Sequence, residues 1–308
     1  MKSFSDLRNF CEYIVNRYGS PGAATEDEKA EEFRKVYLRN FTPNLKTIRA
    51  VTSACGIYLN SIDGKILPRT MRGYHDVFEG KRKIYYKEGD TISGIENTIL
   101  HEFREMIEPV FTEVCPNYDP LRTSAVHLAA NRFATAVLLP KDEFREKVYE
   151  TGFDVIALSK LYSKSCSQVL LRMGEVLQGK LFMYAALYEP DLESQWQVTY
   201  WASSFNDIDP DENVYGTDGL FPRKARAVAP GSLVDMAVKT KKPHLARCIT
   251  LLDSKDDDGL VALARPLNIA GIPVRIALVV LLGLNSDLLA PQVERTKPAI
   301  LDGFHRHL

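Results

Sequence analysis

The stretch "NTILHEFREMIEPVF", residues 97–111, sets one histidine and three glutamates at helical spacing. Residues four apart on a helix share a face. His101 and Glu105 therefore point the same way, Glu108 lies one turn further along, and Glu102 sits at the edge of that face. Two side chains on consecutive turns can hold a divalent metal, while a neighbouring carboxylate takes a proton from water that the metal activates. The familiar spacing for such a helix is H-E-x-x-H, and this chain offers H-E-x-x-E. Glutamate oxygen is an acceptable zinc ligand, but a catalytic site normally has three protein ligands. The third must come from outside the helix.

Five histidines remain as sources. His305 and His307 lie in the terminal tail, His244 in the last third, and His75 on an expected hairpin. His127 stands out, because "SAVHLAANRFATAVLLP" reads as a second helix whose small residues permit close packing. On residues alone, His127 is either a ligand or a satisfied structural histidine.

The elements that must position these groups follow from periodicity and turn chemistry. Apolar Phe4, Leu7, Phe10 and Ile14 mark a first helix, closed by Gly19 and Pro21. Thr25 and Glu28 form a capping box for the next. A third helix spans about Leu45–Cys55, and "GIYLNSI" then alternates like a strand. "GYHDVF", the turn Glu79-Gly80 and "KRKIYYK" read as a hairpin, whose second strand is expected to offer an edge to an extended peptide or simply a charged surface. Pro140 ends the His127 helix, and "LQGK" near Leu177 marks a boundary. From Lys180 the chain turns strand-rich, with "IALVVLLGL" a buried strand and "APQVERTKPAILDGFHRH" a closing helix.

Bulk composition excludes several classes. The chain has 308 residues, 45% hydrophobic and 26% charged, with a formal net charge of −1. Such a chain is globular and not coated in positive charge for nucleic acid. Its five cysteines (Cys11, Cys55, Cys115, Cys166, Cys248) are scattered and never in C-x-x-C spacing, which argues for reduced thiols and against a cysteine zinc site. No segment reads as a signal peptide or a membrane span, so a cytoplasmic protein is expected.

"LHEFREMIE" followed by "AANRFATAVLLP" resembles the ImmA/IrrE family of metallopeptidases. That family pairs an H-E-x-x-H helix with a later helix of the form E-x-E-A-N-x-F-A-x-x-L-L-x-P. Ala130-Asn131, Phe133-Ala134 and Leu138-Leu139-Pro140 carry the match, and the resemblance covers about residues 45–145. A two-part motif is more specific than H-E alone. Aligning Ala130-Asn131 with the family's A-N puts His127 where its ligand glutamate stands, while Glu105 stands where its second histidine belongs. The resemblance thus implies a reciprocal exchange that preserves two imidazoles and one carboxylate. It implies that His101, Glu105 and His127 hold Zn2+, or another divalent ion such as Mn2+, and that Glu102 is the general base. Glu108 is then a spare carboxylate, either an alternative ligand or a partner orienting His127, unless it simply belongs to a solvated helix face.

Val155–Leu161 and Cys166–Leu177 are similar to a helix-turn-helix, as in the radiation-response branch of that family, with Ser167, Gln168 and Arg172 outward. A helical brace is the competing reading. Residues 180–308 resemble a GAF-like sensor domain by order of elements. Within them Arg223, Lys224, Arg226, Lys239, Lys241, Lys242 and Arg247 face one acid, Asp235. That cluster would attract phosphates such as single-stranded DNA, with Trp196, Tyr200 and Trp201 to stack bases, unless it is a solvated face over core aromatics. "DIDPDENVYGTD" mimics a calcium loop but puts Glu212 where glycine is required.

The expected fold is α+β: a zincin-like metallopeptidase domain at 1–140, a small helix-turn-helix-like segment at 141–179, and an α/β GAF-like domain at 180–308. The expected function is zinc-dependent cleavage of a partner protein, a transcriptional repressor, in a stress or DNA-damage response, with single-stranded DNA as an activator. The rival is a non-catalytic, peptidase-like regulator that binds protein or DNA.

Overall fold

Thr25 opens its helix as the capping box requires: its hydroxyl accepts the Glu28 N–H at 3.2 Å, and Glu28 accepts the Thr25 N–H at 2.7 Å. The computed structural model describes residues 6–39, 41–68, 71–204, 224–228, 230–248 and 260–282. The chain divides into two compact units, Met1–Lys141 and Asp142–Leu308. Each combines helices with one sheet, so the fold is α+β.

The first unit contains α1 (Leu7–Tyr18), α2 (Glu26–Phe33), α3 (Leu45–Ala54), β1 (Ile57–Ile62), β2 (Gly73–Phe78), β3 (Lys81–Lys87), α4 (Ile92–Val114) and α5 (Thr123–Leu138). Its spine is α4, which packs on α1, α5 and the sheet. The join is aromatic. Phe103 of α4 stacks on Phe133 of α5 at 6.2 Å, and Phe33 of α2 meets both rings edge-on at 5.1 and 5.6 Å. All three are fully buried, each worth about 1.5–3 kcal/mol of burial. Small residues Ala129, Ala130 and Ala134 on α5 are buried too, which lets the α4 and α5 backbones approach.

The three-stranded sheet has the order β1-β3-β2. β3 ("KRKIYYK") runs parallel to β1 and antiparallel to β2, so both its edges are used. The expectation that β3 offers a free edge is therefore corrected. β2 occupies one side of β3 and β1 the other, so the edge strand of the hairpin is β2.

The second unit holds α6 (Lys141–Glu150, beginning at the boundary), α7 (Val155–Tyr162), α8 (Cys166–Leu177), β4 (Met183–Pro190), β5 (Trp196–Ser203), α9 (Leu233–Thr240), β6 (His244–Cys248), β7 (Leu260–Ile269) and β8 (Ile272–Leu282). Its antiparallel sheet has the order β5-β4-β8-β7-β6, with the apolar run of β8 at its centre as expected. α8 packs on β4 and β5. Gly174 allows that approach, since a Cβ there would lie 2.6 Å from the Ser203 carbonyl oxygen. Arg172, expected to point outward, is instead buried and bonded to Glu175 at 2.9 Å. The calcium-like loop at 207–218 and the closing helix at 290–307 lie outside the described residues. No helix among the described residues is long and apolar enough to cross a membrane.

Candidate metal centre

Thr91 caps α4 by accepting the Gly94 N–H at 3.1 Å, and the helix then carries His101, Glu102 and Glu105 toward a cleft of about 500 Å³. His127 enters from α5 and His75 from β2. Glu105 Oε1 lies 3.1 Å from His101 Nε2 and 3.1 Å from His127 Nδ1. The two imidazoles meet edge to face with centroids 4.5 Å apart. All three ligand atoms fall within 4.8 Å of one another. A tetrahedral ion bound at about 2.0–2.2 Å needs donors roughly 3.4 Å apart, so the set is compatible with one zinc. His101 and Glu102 are buried, Glu105 is half-buried and the His127 ring is largely exposed.

The hydrogen bonding around His101 favours a cation. Its Nδ1 faces Asn131 Oδ1 at 3.0 Å. Donating there fixes the tautomer and leaves the Nε2 lone pair aimed at a carboxylate oxygen. Two acceptors at 3.1 Å repel unless a proton or a metal ion lies between them. With a proton in that gap, the hydrogen bond from His101, supported by His127, outweighs burial and holds the Glu105 pKa down at about 2.

His75 was missed as a member of this group. Its Nδ1 donates to Glu102 Oε2 at 2.8 Å and lies 3.9 Å from Glu105 Oε2. The bond to Glu102 raises the His75 pKa against the effect of burial. Gly73 shares its strand phase with His75 and shows why the contact forms. A Cβ at Gly73 would lie 2.4 Å from both Thr98 Cγ2 of α4 and the Tyr85 carbonyl oxygen. The glycine thus lets β2 press onto α4, and the Gly-x-His phase was the only signal the sequence held.

Glu108 is corrected: it neither approaches the centre nor orients His127. Seven residues of helix place it about 10 Å beyond His101, where the α4–α5 connection closes over it. It accepts from Arg104 at 2.9 Å, the Tyr118 hydroxyl at 2.7 Å and the Leu121 N–H at 3.0 Å. Burial opposes its ionisation, yet these donors hold its pKa below the usual range.

The basic residues of the second unit do not form one patch among the described residues. Arg223 lies outside them, as does the Arg247 side chain on β6. The Arg226 carbonyl accepts the Val198 N–H of β5, so Lys224 and Arg226 flank one sheet edge. Lys239 lies in the last turn of α9, bonded to Asp235 at 2.5 Å, and the exposed Lys241 and Lys242 lead into β6 at the opposite edge. Trp196 and Trp201 pack against the sheet's core, with Trp201 stacked on Tyr184.

No protein-family model matches the chain, and no curated protein matches it. Among solved structures, a Mycobacterium tuberculosis transcriptional regulator is similar over 89% of this chain and 79% of its own, at 15% identity and a TM-score of 0.48. That likeness is too distant to bring a function with it.

Proposed function

We propose that the first unit is a zinc-dependent endopeptidase of the ImmA/IrrE kind, zincin-like in fold, that cleaves a partner protein. One observation carries the reading: His101 Nε2, Glu105 Oε1 and His127 Nδ1 converge beside the buried carboxylate of Glu102 in an open cleft. A bound zinc supplies Lewis acidity toward water and the peptide carbonyl. Glu102 accepts the proton of the attacking water and returns it to the leaving amine, a role worth roughly 10²–10⁴-fold in rate. His75 holds one Glu102 oxygen, which leaves the other to face substrate. The outer edge of β2 has no strand partner among the described residues and borders the cleft through Gly73, Tyr74 and His75. An extended peptide laid along that edge gains main-chain hydrogen bonds and brings its carbonyl over the centre. The second unit, GAF-like in this reading, serves as the sensor. The partner is a repressor removed under stress, and single-stranded DNA is the activator.

Elemental analysis and a cleavage assay test this together. The purified protein should carry one tightly held zinc. Glu102→Gln should keep that zinc and lose cleavage by about 10²-fold or more. Cleavage at the parent rate in Glu102→Gln would refute the assigned chemistry, and a parent without metal would favour the non-catalytic regulator.

A further inference from the structure

The Glu105 carboxylate faces two groups of donors with its two oxygens. Oε1 serves His101 and His127, as described. Oε2 looks toward His75 Nδ1 at 3.9 Å, which in turn lies 2.8 Å from Glu102 Oε2. His75, Glu102 and Glu105 offer one nitrogen and two carboxylate oxygens within 4.8 Å of one another, a second convergent set that shares one residue with the first. We infer that the centre has a second, weaker divalent-metal site, formed by His75, Glu102 and Glu105, with Glu105 bridging the two ions.

Three features support this site. The donor set of one imidazole and two carboxylates suits Zn2+ and Mn2+ alike. The His75 ring is partly exposed on an edge strand lining the cleft, so an ion enters without opening the fold. The local charge also accepts a second cation. Glu102 and Glu105 are neighbouring carboxylates, and the guanidinium that lines the cleft, Arg72, faces Asp90 at 3.8 Å.

Charge also sets the order of affinity. One dication balances the two carboxylates, whereas a second adds net positive charge in a half-buried cleft and meets the repulsion of the first. The second site is therefore the weaker one. Its consequence rests on the endopeptidase reading: a carboxylate bound to a dication is a poor base, so filling the second site takes Glu102 out of proton transfer. Excess metal then restrains the same centre that one ion activates.

The test is metal titration of the full-length protein after stripping with a chelator. Zn2+ is added against a chromophoric competitor, and Co2+ is followed by its visible absorption. The parent should take up one tight ion and then a second, weaker one. His75→Ala should lose the second and keep the first. Should that variant fold poorly, His75→Gln, which retains a donor for Glu102 but no imidazole, should show the same loss. A parent that saturates at one ion, or a second ion that persists in the folded His75 variants, would overturn the second site and leave the one-metal reading standing. A parent that binds no ion would remove both.

Discussion

At the scale of single residues, the centre rests on an exchange of ligand types between two helices. Glu105 stands where the resembling family has histidine, and His127 where it has glutamate, yet both meet at one point, 3.1 Å apart. If they share a metal, their substitutions must interact. Glu105→His leaves three imidazoles and should cost little zinc affinity. His127→Glu leaves one imidazole and two carboxylates, a harder and poorer zinc set. The double variant restores two histidines on α4 and a glutamate on α5, so it should bind zinc more tightly than His127→Glu alone. The departure from additivity should reach at least about 1 kcal/mol, as for residues coupled through a common partner. Strictly additive affinities from chelator competition would show that the two do not meet at a metal. His101, Glu105 and Glu102 were legible because helical period is a local property, and His127 became so through the motif around Ala130-Asn131. His75 was not, because strand order and the approach of β2 to α4 are settled by tertiary packing.

At the scale of elements, the question is what holds α4 at the angle that presents these groups. Phe33, Phe103 and Phe133 supply the apolar joint, and a buried ion network pins α4 to α2 on another side. Arg104 donates to Glu26 at 2.7 and 2.9 Å and to Glu108 at 2.9 Å, while the buried Lys29 donates to Glu26 at 2.8 Å. Removing one member leaves uncompensated buried charge, which costs far more than the network gains over apolar packing. Arg104→Met should therefore destabilise the first unit by about 3–5 kcal/mol in urea denaturation. A loss under about 1 kcal/mol would place the network outside the support of the fold. The capping box, helix spans and hairpin turn could be read from the sequence, since each depends on neighbours a few residues apart. Glu108 could not be assigned, because its donors Tyr118 and Leu121 arrive from the connection beyond α4.

At the scale of the whole molecule, the centre belongs to the first unit and the lysines of the α9–β6 junction to the second. The change of texture near Lys180 marks where β4 begins, but the packing of α8 on β4 and β5 could not be read from composition. Nor could the separation of Arg226 from Lys241 and Lys242, which are near in sequence but at opposite edges of the sheet. If single-stranded DNA engages the α9–β6 edge, reversing charge at Lys239, Lys241 and Lys242 should weaken binding and flatten its dependence on salt. Each phosphate contact on a single strand contributes about 0.7 to the log–log salt slope, so three lost contacts should lower it by roughly 2. Zinc uptake should be untouched, because every candidate ligand lies in the first unit. Fluorescence binding isotherms across a salt series decide the matter. An unchanged slope in the triple variant, or no binding by the parent, would remove the α9–β6 edge as a nucleic-acid contact.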